Sequence, residues 1–506
     1  MLLLGIDIGT SSVKVSVVDA FTQQSLCTTH YPETEAGIIS LQPGWAEQPP
    51  DMWWEYVQLA ILKLHALHKY DPQDISAIGI AYQMHGLVMV DKDQNVLRNS
   101  IIWCDSRAVE IGELAFETIG KEKCLSHLLN SPGNFTASKL AWVKQNEPAI
   151  FAKTDKVMLP GDYIAMKLTG NITTSISGLS EGMFWDFRNN ELSKDVFNYF
   201  GFSDSLIPEL KDVFAEHGRI TAAVASRLSL KEGIPVTYKA GDQPNNALSL
   251  NVLEPGEVAA TAGTSGVIYG VSDRLTYDTE SRINTFAHIN HNASAINETA
   301  ESKQRLGVLL CINGTGILYR WIKNMTGAML DYVHMNEAAK AIRAGSEGLS
   351  VFPFGNGAER MLNNKMMDAH INNIDFNIHS NAHLYRAAQE GIAFAFRYGL
   401  DILKENGMHP KVIRAGKANM FLSDVFMDCF VNTLGVPVEL YNCDGSVGAA
   451  IGAGLGAGIY ANAREAFMEF KPIGIKDPDG KGEYESHYYK WLTALQNQLK
   501  ELNNLK

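Results

Sequence analysis

The chain has 506 residues, enough for two α/β domains of about 250 residues or three of about 150. Hydrophobic residues make up 46% and charged residues 20%, a globular composition that excludes disordered, collagen-like and coiled-coil classes. Forty-three basic side chains against fifty-six acidic ones leave a formal charge of −13 without a dense Lys/Arg block, so neither nucleic acid nor a membrane surface is an expected partner.

The start, MLLLGIDIGT, is apolar but short and has no basic region before it, so it reads as a strand and not a leader. Leu2 to Ile8, the bend Gly9-Thr10-Ser11-Ser12 and Val13 to Val18 predict a β-hairpin. A helix follows over Met52 to Leu67, a strand over Ile75 to Ala81, a helix over Ser138 to Asn146 and a strand over Val236 to Ala240. A domain boundary is expected near Gly241 to Pro255, giving an N-terminal domain over 1–246 and a C-terminal one over 247–506. Half a chain-length after the first hairpin its pattern returns: Glu257 to Ala262, the bend Gly263-Thr264-Ser265-Gly266, then Val267 to Val271. This predicts a duplicated architecture. Helices over Leu384 to Glu405 and Ser423 to Leu434 and a strand over Val436 to Tyr441 complete an α/β alternation. Gly445 to Gly454 is rich in glycine and alanine but does not follow a strand as a dinucleotide fingerprint would, so a helix packed closely through a small-residue face is expected. From Tyr488 to Leu505 a stripe of Trp491, Leu492, Leu495, Leu499 and Leu502 predicts a terminal helix docked on the body, with a partner surface as the alternative.

Two bends of Gly, Thr and Ser offer backbone N–H groups and hydroxyls without bulk, as a polyphosphate requires. Asp7, ending the first strand, is placed to hold a hydrated Mg²⁺ against such phosphates. There is no GxxxxGK[ST], HRD or DFG set, so the P-loop and protein-kinase schemes are not expected. Asp242 in Gly241-Asp-Gln-Pro-Asn-Asn246 could serve as general base toward a hydroxyl or simply cap the next helix. Gln83-Met84-His85-Gly86 and Trp103-Cys104-Asp105-Ser106-Arg107 supply the donors, acceptors and aromatic face that suit a sugar. His288 with His291, and His379 with His383, lack a convincing third ligand for a metal. The six cysteines, Cys27, Cys104, Cys124, Cys311, Cys429 and Cys443, stand singly, which fits a reducing cytoplasm.

Together these motifs resemble the FGGY family of carbohydrate kinases, within the sugar kinase, Hsp70 and actin superfamily. DIGTSSVK at Asp7 to Lys14 and GTSG at Gly263 to Gly266 resemble its two phosphate hairpins. FTASKLAWVKQNEP from Phe135, LPGDYIAMKLTG from Leu159 and EGIAFAFRYGLDIL from Glu390 are similar to further stretches of it. QMHG, WCDSR and GWAEQPPDMWW, at Gly44 to Trp54, are most similar to the branch acting on D-xylulose. The resemblance implies two ribonuclease H-like α/β domains around a deep cleft, ATP and Mg²⁺ as cofactors, and transfer to a primary hydroxyl of a ketopentose. It implies Asp242 as base and Asp7 as the Mg²⁺-linked carboxylate, with Gln83, Met84, His85, Trp103, Asp105, Arg107 and Gln243 toward the sugar. Thr10, Ser11, Ser12, Lys14 and Thr264 would touch phosphates, and Gly316, Gly416 and Asn419 the adenosine. Three stretches depart from the branch's usual pattern: Arg414 to Asn419 in the adenosine loop, Gln243 after Asp242, and Ser175 to Met183 without aspartates. Another pentulose or polyol therefore stays open as substrate, as do a non-catalytic sugar sensor and a homodimer.

Overall fold

The structure, a computed structural model, describes residues 1–293, 303–327 and 331–504; Leu505 of the predicted terminal stretch lies outside them. The first sheet contains β1 (Leu2–Ile8), β2 (Val13–Asp19), β3 (Ser25–Tyr31), β4 (Ile75–Tyr82), β5 (Gly218–Arg219) and β6 (Pro235–Gly241), in the order β5-β6-β4-β1-β2-β3. The second contains β7 (Glu257–Ala262), β8 (Gly266–Ser272), β9 (Asn284–Ala287), β10 (Leu306–Ile312), β11 (Val412–Gly416), β12 (Val438–Tyr441) and β13 (Gly474–Lys476), in the order β9-β10-β8-β7-β11-β12-β13.

In each sheet an antiparallel hairpin opens the unit, two parallel strands follow on one side, and an antiparallel strand closes that edge. The predicted duplication is thus a repeat of topology, with β9 added to the outer edge of the second sheet. Register places the site: Ile8 and Gly241 both lie beside Tyr82, so β1, β4 and β6 end level. The chain emerging from each strand's carboxyl end meets its neighbours there, as ligand sites of open α/β sheets require.

Five helices bear on the site and its surroundings: α1 (Asp242–Ser249), α2 (Gly316–Gly327), α3 (Asn381–Glu405), α4 (Gly445–Gly456) and α5 (Glu483–Asn504). The stretch read as a polar domain boundary is largely α1, because Ala247 and Leu248 bury an apolar face behind a polar first turn. The Gly/Ala-rich α4 belongs to the second half of the sequence but lies on the first sheet. A Cβ on Gly5 would come within 1.7 Å of Ser446 O, and one on Gly79 within 1.9 Å of Ala449 O. Only hydrogen at these positions lets the backbones approach so closely. The α5 stripe docks through Tyr488, Trp491 and Leu495, with Leu492, Leu499 and Leu502 packed partly against the same core. No helix among the described residues is long and apolar enough to cross a membrane.

Candidate active site

The first bend is held by side chains and charge. Gly9 N–H donates to Ser12 O at 3.0 Å, and Ser11 O accepts from Ala36 N–H at 2.7 Å. Trp103 Nε1 donates to the Thr10 hydroxyl at 2.9 Å, which donates on to Gln83 Oε1 at 3.2 Å, while the Gln48 amide reaches Thr10 O at 2.8 Å. Lys14, opposite Asp7 in the hairpin, pairs with Asp444 at 2.6 Å. Asp444 also receives Ser446 N–H at 2.9 Å and so caps α4.

Three carboxyls, Glu181 buried and Asp7 and Asp242 half-buried, gather where β1, β4 and β6 end. Burial and then Asp444 push Asp7 up to about 6, against the pull of Lys14. Burial and then Asp7 push Asp242 up to about 7, opposed by hydrogen bonding from Gln243. Glu181 is raised well above the ordinary value by burial and then by Asp242, with its carboxyl 3.9 Å from His85 Nδ1. Desolvation of the ion leads in all three cases, with like charges adding to it. Asp242 also stands within electrostatic reach of Cys311, which is paired across the sheet with Val267, the second residue of β8. Asp242 is thus within electrostatic reach both of Asp7, on the strand that enters the Gly9 bend, and of Cys311, opposite the strand that leaves the Gly263 bend. Asp242 is the first residue of α1, whose N-cap is Gly241 without a side-chain cap bond, so it is an acid of the helix's first turn and not its cap.

Beside Asp242, a Cβ on Gly241 would lie 2.6 Å from Met84 Cγ, and Gln243 Oε1 is buried without a hydrogen-bond partner. His85 adopts φ +61° and donates from Nδ1 to Glu181 O at 3.1 Å. Its ring is held 4.8 Å from Phe135 and 5.3 Å from Phe286. Burial, then Lys139, drives the imidazole down to about 3, so it is neutral. Lys139 donates to His85 O at 2.8 Å and is itself pushed down to about 7 by burial. Arg360 reaches in from the second half, 5.8 Å from the Phe135 ring and bonded to Asn284 Oδ1, with no carboxylate partner among the described residues.

Asp105 and Arg107 are placed differently. The Asp105 carboxylate takes Ala46 N–H at 2.6 Å and Arg107 Nη2 at 2.7 Å, while Arg107 stacks 3.7 Å from the Trp45 ring and bonds Glu47 at 2.8 Å. The pair braces the loop carrying Trp103 and leaves little capacity for another ligand.

At the second bend, Gly263 O accepts Gly316 N–H at 2.8 Å and the Thr315 hydroxyl at 2.9 Å; Thr264 O accepts Ile317 N–H at 3.1 Å. Gly263, Thr264, Gly316 and Asn419 line one cavity of about 400 Å³ with Tyr319, Tyr332 and Asn336. Tyr319 and Tyr332 stack at 5.8 Å, an aromatic surface beside the bend. Gly416 lies outside that lining, next to Cys443, whose Sγ would be 3.1 Å from a Cβ there. Arg414, first of the divergent loop, points at the sheet and bonds Glu257 and Glu439.

Sequence reasoning passed over Glu181, Arg360, Asp444 and the tyrosine pair. Glu181 alone had a local signal, an acid within the otherwise small and apolar Ile176–Glu181 helix. Of the histidine pairs, His288 uses both ring nitrogens on Tyr269 OH and Val252 O. No group of three or more His, Cys, Asp or Glu side chains forms a metal cage among the described residues. Asp7, with Lys14 and Asp444 within electrostatic reach and Gly445 leaving room against its carboxylate, suits a divalent cation that keeps water and phosphate oxygens as ligands.

Residues 2–249 match the N-terminal domain of the FGGY family of carbohydrate kinases, and residues 258–458 its C-terminal domain. The chain is 27% identical to the xylulose kinase of Escherichia coli over 471 residues, 93% of this chain and 92% of that protein. A xylulose kinase structure from Lactobacillus acidophilus superposes with a TM-score of 0.88 at 19% identity, covering 100% of both chains. A gluconate kinase from the same organism gives 0.87 at 19%, covering 100% of this chain and 99% of the other. With both family domains matched over most of its length, the chain belongs to the FGGY family of carbohydrate kinases.

Proposed function

We propose that this kinase transfers the γ-phosphoryl group of ATP to a primary hydroxyl of a ketopentose, with O5 of D-xylulose as acceptor. The observation that carries this reading is Asp242, a half-buried carboxylate that follows the end of β6, level with the end of β1, and is raised to about 7 by burial and then by Asp7. It accepts the proton of the sugar hydroxyl as that oxygen attacks the γ-phosphorus in line; the bond to the β–γ bridging oxygen breaks and ADP leaves. Gln83, Met84, neutral His85 and Gln243 hold the sugar, with the unpartnered Gln243 Oε1 fit to accept from a hydroxyl. Trp103 fixes Thr10 while Thr10, Ser11, Ser12, Lys14 and Thr264 receive the phosphates. Gly316 and Asn419, with Gly416 behind them, flank the adenosine. Mg²⁺, held through water by Asp7, would neutralise phosphate charge when bound. Residues 1–246 thus supply the sugar contacts and most phosphate contacts and 247–506 the remaining nucleotide contacts, although α4 is structurally part of the first unit.

The xylulose kinase relatives favour D-xylulose, whereas a gluconate kinase on the same fold shows that architecture does not choose the sugar. Initial rates of ADP release with D-xylulose, D-ribulose, L-ribulose, L-xylulose, glycerol and D-gluconate test the choice. D-Xylulose is expected to lead in kcat/KM by about tenfold or more, since a pocket shaped to hydrogen-bond one set of hydroxyls discriminates by at least that much. A higher value for any other acceptor would reassign the substrate; sugar binding without ADP from any acceptor would make the chain a sensor.

A further inference from the structure

Arg360 brings a cation from the second half of the chain to the Phe135 and His85 rings of the first. The residues around it fix its place: Met361 and Leu362 are buried, Glu359 accepts Asn313 N–H at 2.9 Å, and Ala358 O accepts from Asn313 Nδ2 at 2.8 Å. These bonds tie the segment to the turn between β10 and α2. The guanidinium lies 5.8 Å from the Phe135 ring centre, and that ring lies 4.8 Å from His85 and 5.8 Å from Phe286. Nη1 donates to Asn284 Oδ1, but Nε and Nη2 have no hydrogen-bond partner among the described residues, and neither is shielded from solvent. The residue is half-buried, and desolvation holds its pKa below the ordinary arginine value, so the free edge opens into a recess and not onto the outer surface. Nε–H and Nη2–H point the same way from a rigid plane, a geometry that takes two neighbouring oxygens at once. His85 Nε2 is likewise unbonded and open to solvent; because Nδ1 donates, Nε2 is an acceptor. A paired donor and a single acceptor thus flank one aromatic ring, a set that matches neighbouring hydroxyl and carbonyl oxygens and not an apolar or cationic ligand.

We propose that Arg360 binds the acceptor sugar, its Nε–Nη2 edge holding two adjacent oxygens while His85 Nε2 accepts from a hydroxyl. The assignment rests on the ketopentose reading, in which the O1 hydroxyl and O2 carbonyl supply the pair; the carboxylate of a sugar acid would present the same two acceptors. Both halves of the chain then touch the acceptor, and one whose oxygens miss this edge leaves a desolvated guanidinium unmet, which is how hydrogen-bonding pockets discriminate. The test is calorimetric titration of the nucleotide-free full chain with D-xylulose and with D-gluconate, ATP serving as control, alongside steady-state rates. Arg360→Met is expected to weaken D-xylulose binding about tenfold or more, the loss that follows from removing hydrogen bonds to a charged group. The D-xylulose KM should rise with a smaller change in kcat, while ATP affinity and the urea midpoint stay at wild-type values. Arg360→Lys is expected to restore little of the affinity, because an ammonium does not span two oxygens as the planar fork does. Unchanged D-xylulose affinity in Arg360→Met, or a loss confined to kcat, would overturn the proposal, and full affinity in Arg360→Lys would overturn the two-oxygen contact. Tighter binding of D-gluconate than of D-xylulose to wild type, lost in Arg360→Met, would reassign the edge to a carboxylate. Loss of sugar binding in Arg360→Met with no ADP released by wild type from any acceptor would uphold the contact and sink the kinase reading; a wild type that binds neither sugar would sink both.

Discussion

The two bends have nearly the same sequence and are supported in opposite ways. At Gly9–Ser12 the backbone is tied to side chains: Gln48 takes Thr10 O, Trp103 and Gln83 bracket the Thr10 hydroxyl, and the flanking strands carry Asp7 and Lys14. At Gly263–Gly266 the carbonyls are tied to the start of α2, and β8 and the β7 stretch from Val258 onward contain no ionisable carboxyl or amine. The first bend is a charged platform and the second a neutral one beside an aromatic cavity. Duplication supplied the shape twice, and the surroundings set each copy's chemistry: charge beside the first bend, neutral backbone and an aromatic surface beside the second.

The largest effect expected is at Asp242, at the start of α1. Asp242→Asn should lower kcat by about 10²- to 10⁴-fold, the usual worth of a positioned base, with an unchanged urea midpoint; retention of more than a tenth of kcat would remove Asp242 from the base role. Next, Lys14→Met removes a charged hydrogen bond worth about 1.5–3 kcal/mol, so kcat/KM should fall about 10- to 100-fold, and the residual rate should lose salt dependence. At the other bend, a Cβ on Gly316 would lie 2.4 Å from Gly263 O. Gly316→Val should therefore raise the nucleotide KM about 5- to 100-fold, the equivalent of the 1–3 kcal/mol of overpacking, while the sugar Kd stays near wild type. Equal disturbance of sugar and nucleotide binding by both variants would erase the distinction between the bends.

The smallest effect concerns stability. Glu359, which accepts Asn313 N–H at 2.9 Å beside the second bend, is pushed by burial from 4.5 to about 8. Between those values the folded chain holds a proton that the unfolded chain has released, so this group's contribution to stability falls as pH rises from about 4.5 to about 8. Glu359→Gln should flatten that part of the stability profile, read from urea midpoints at a series of pH values; a slope equal to wild type would mean the carboxyl is already ionised in the folded protein.

Much of the frame could be read from local patterns. The apolar runs at Leu2–Ile8 and Glu257–Ala262 with their Gly/Thr/Ser bends are strand signals that tertiary contacts did not override, and Asp7 and Asp242 were marked by standing at strand ends. Other members of the site carried no such mark. Asp444 meets Lys14 across 430 residues of sequence, and Arg360 comes beside Phe135 only because the second half closes on the first. Asp105 and Arg107 sat in a sugar-like motif, yet their nearest complementary charges are each other and Glu47, so the fold uses them as a brace.

By itself the sequence determined the α/β class, the repeated hairpin and the two carboxylates, because these follow from side-chain periodicity and from which residues end a strand. Only tertiary structure decided that α4 would lie on the first sheet, that Glu181 and Asp242 would share one desolvated corner, and that one bend would be charged and the other neutral. Those outcomes depend on groups far apart in the chain, and neither a close backbone approach nor a low-dielectric pocket exists until both halves have packed.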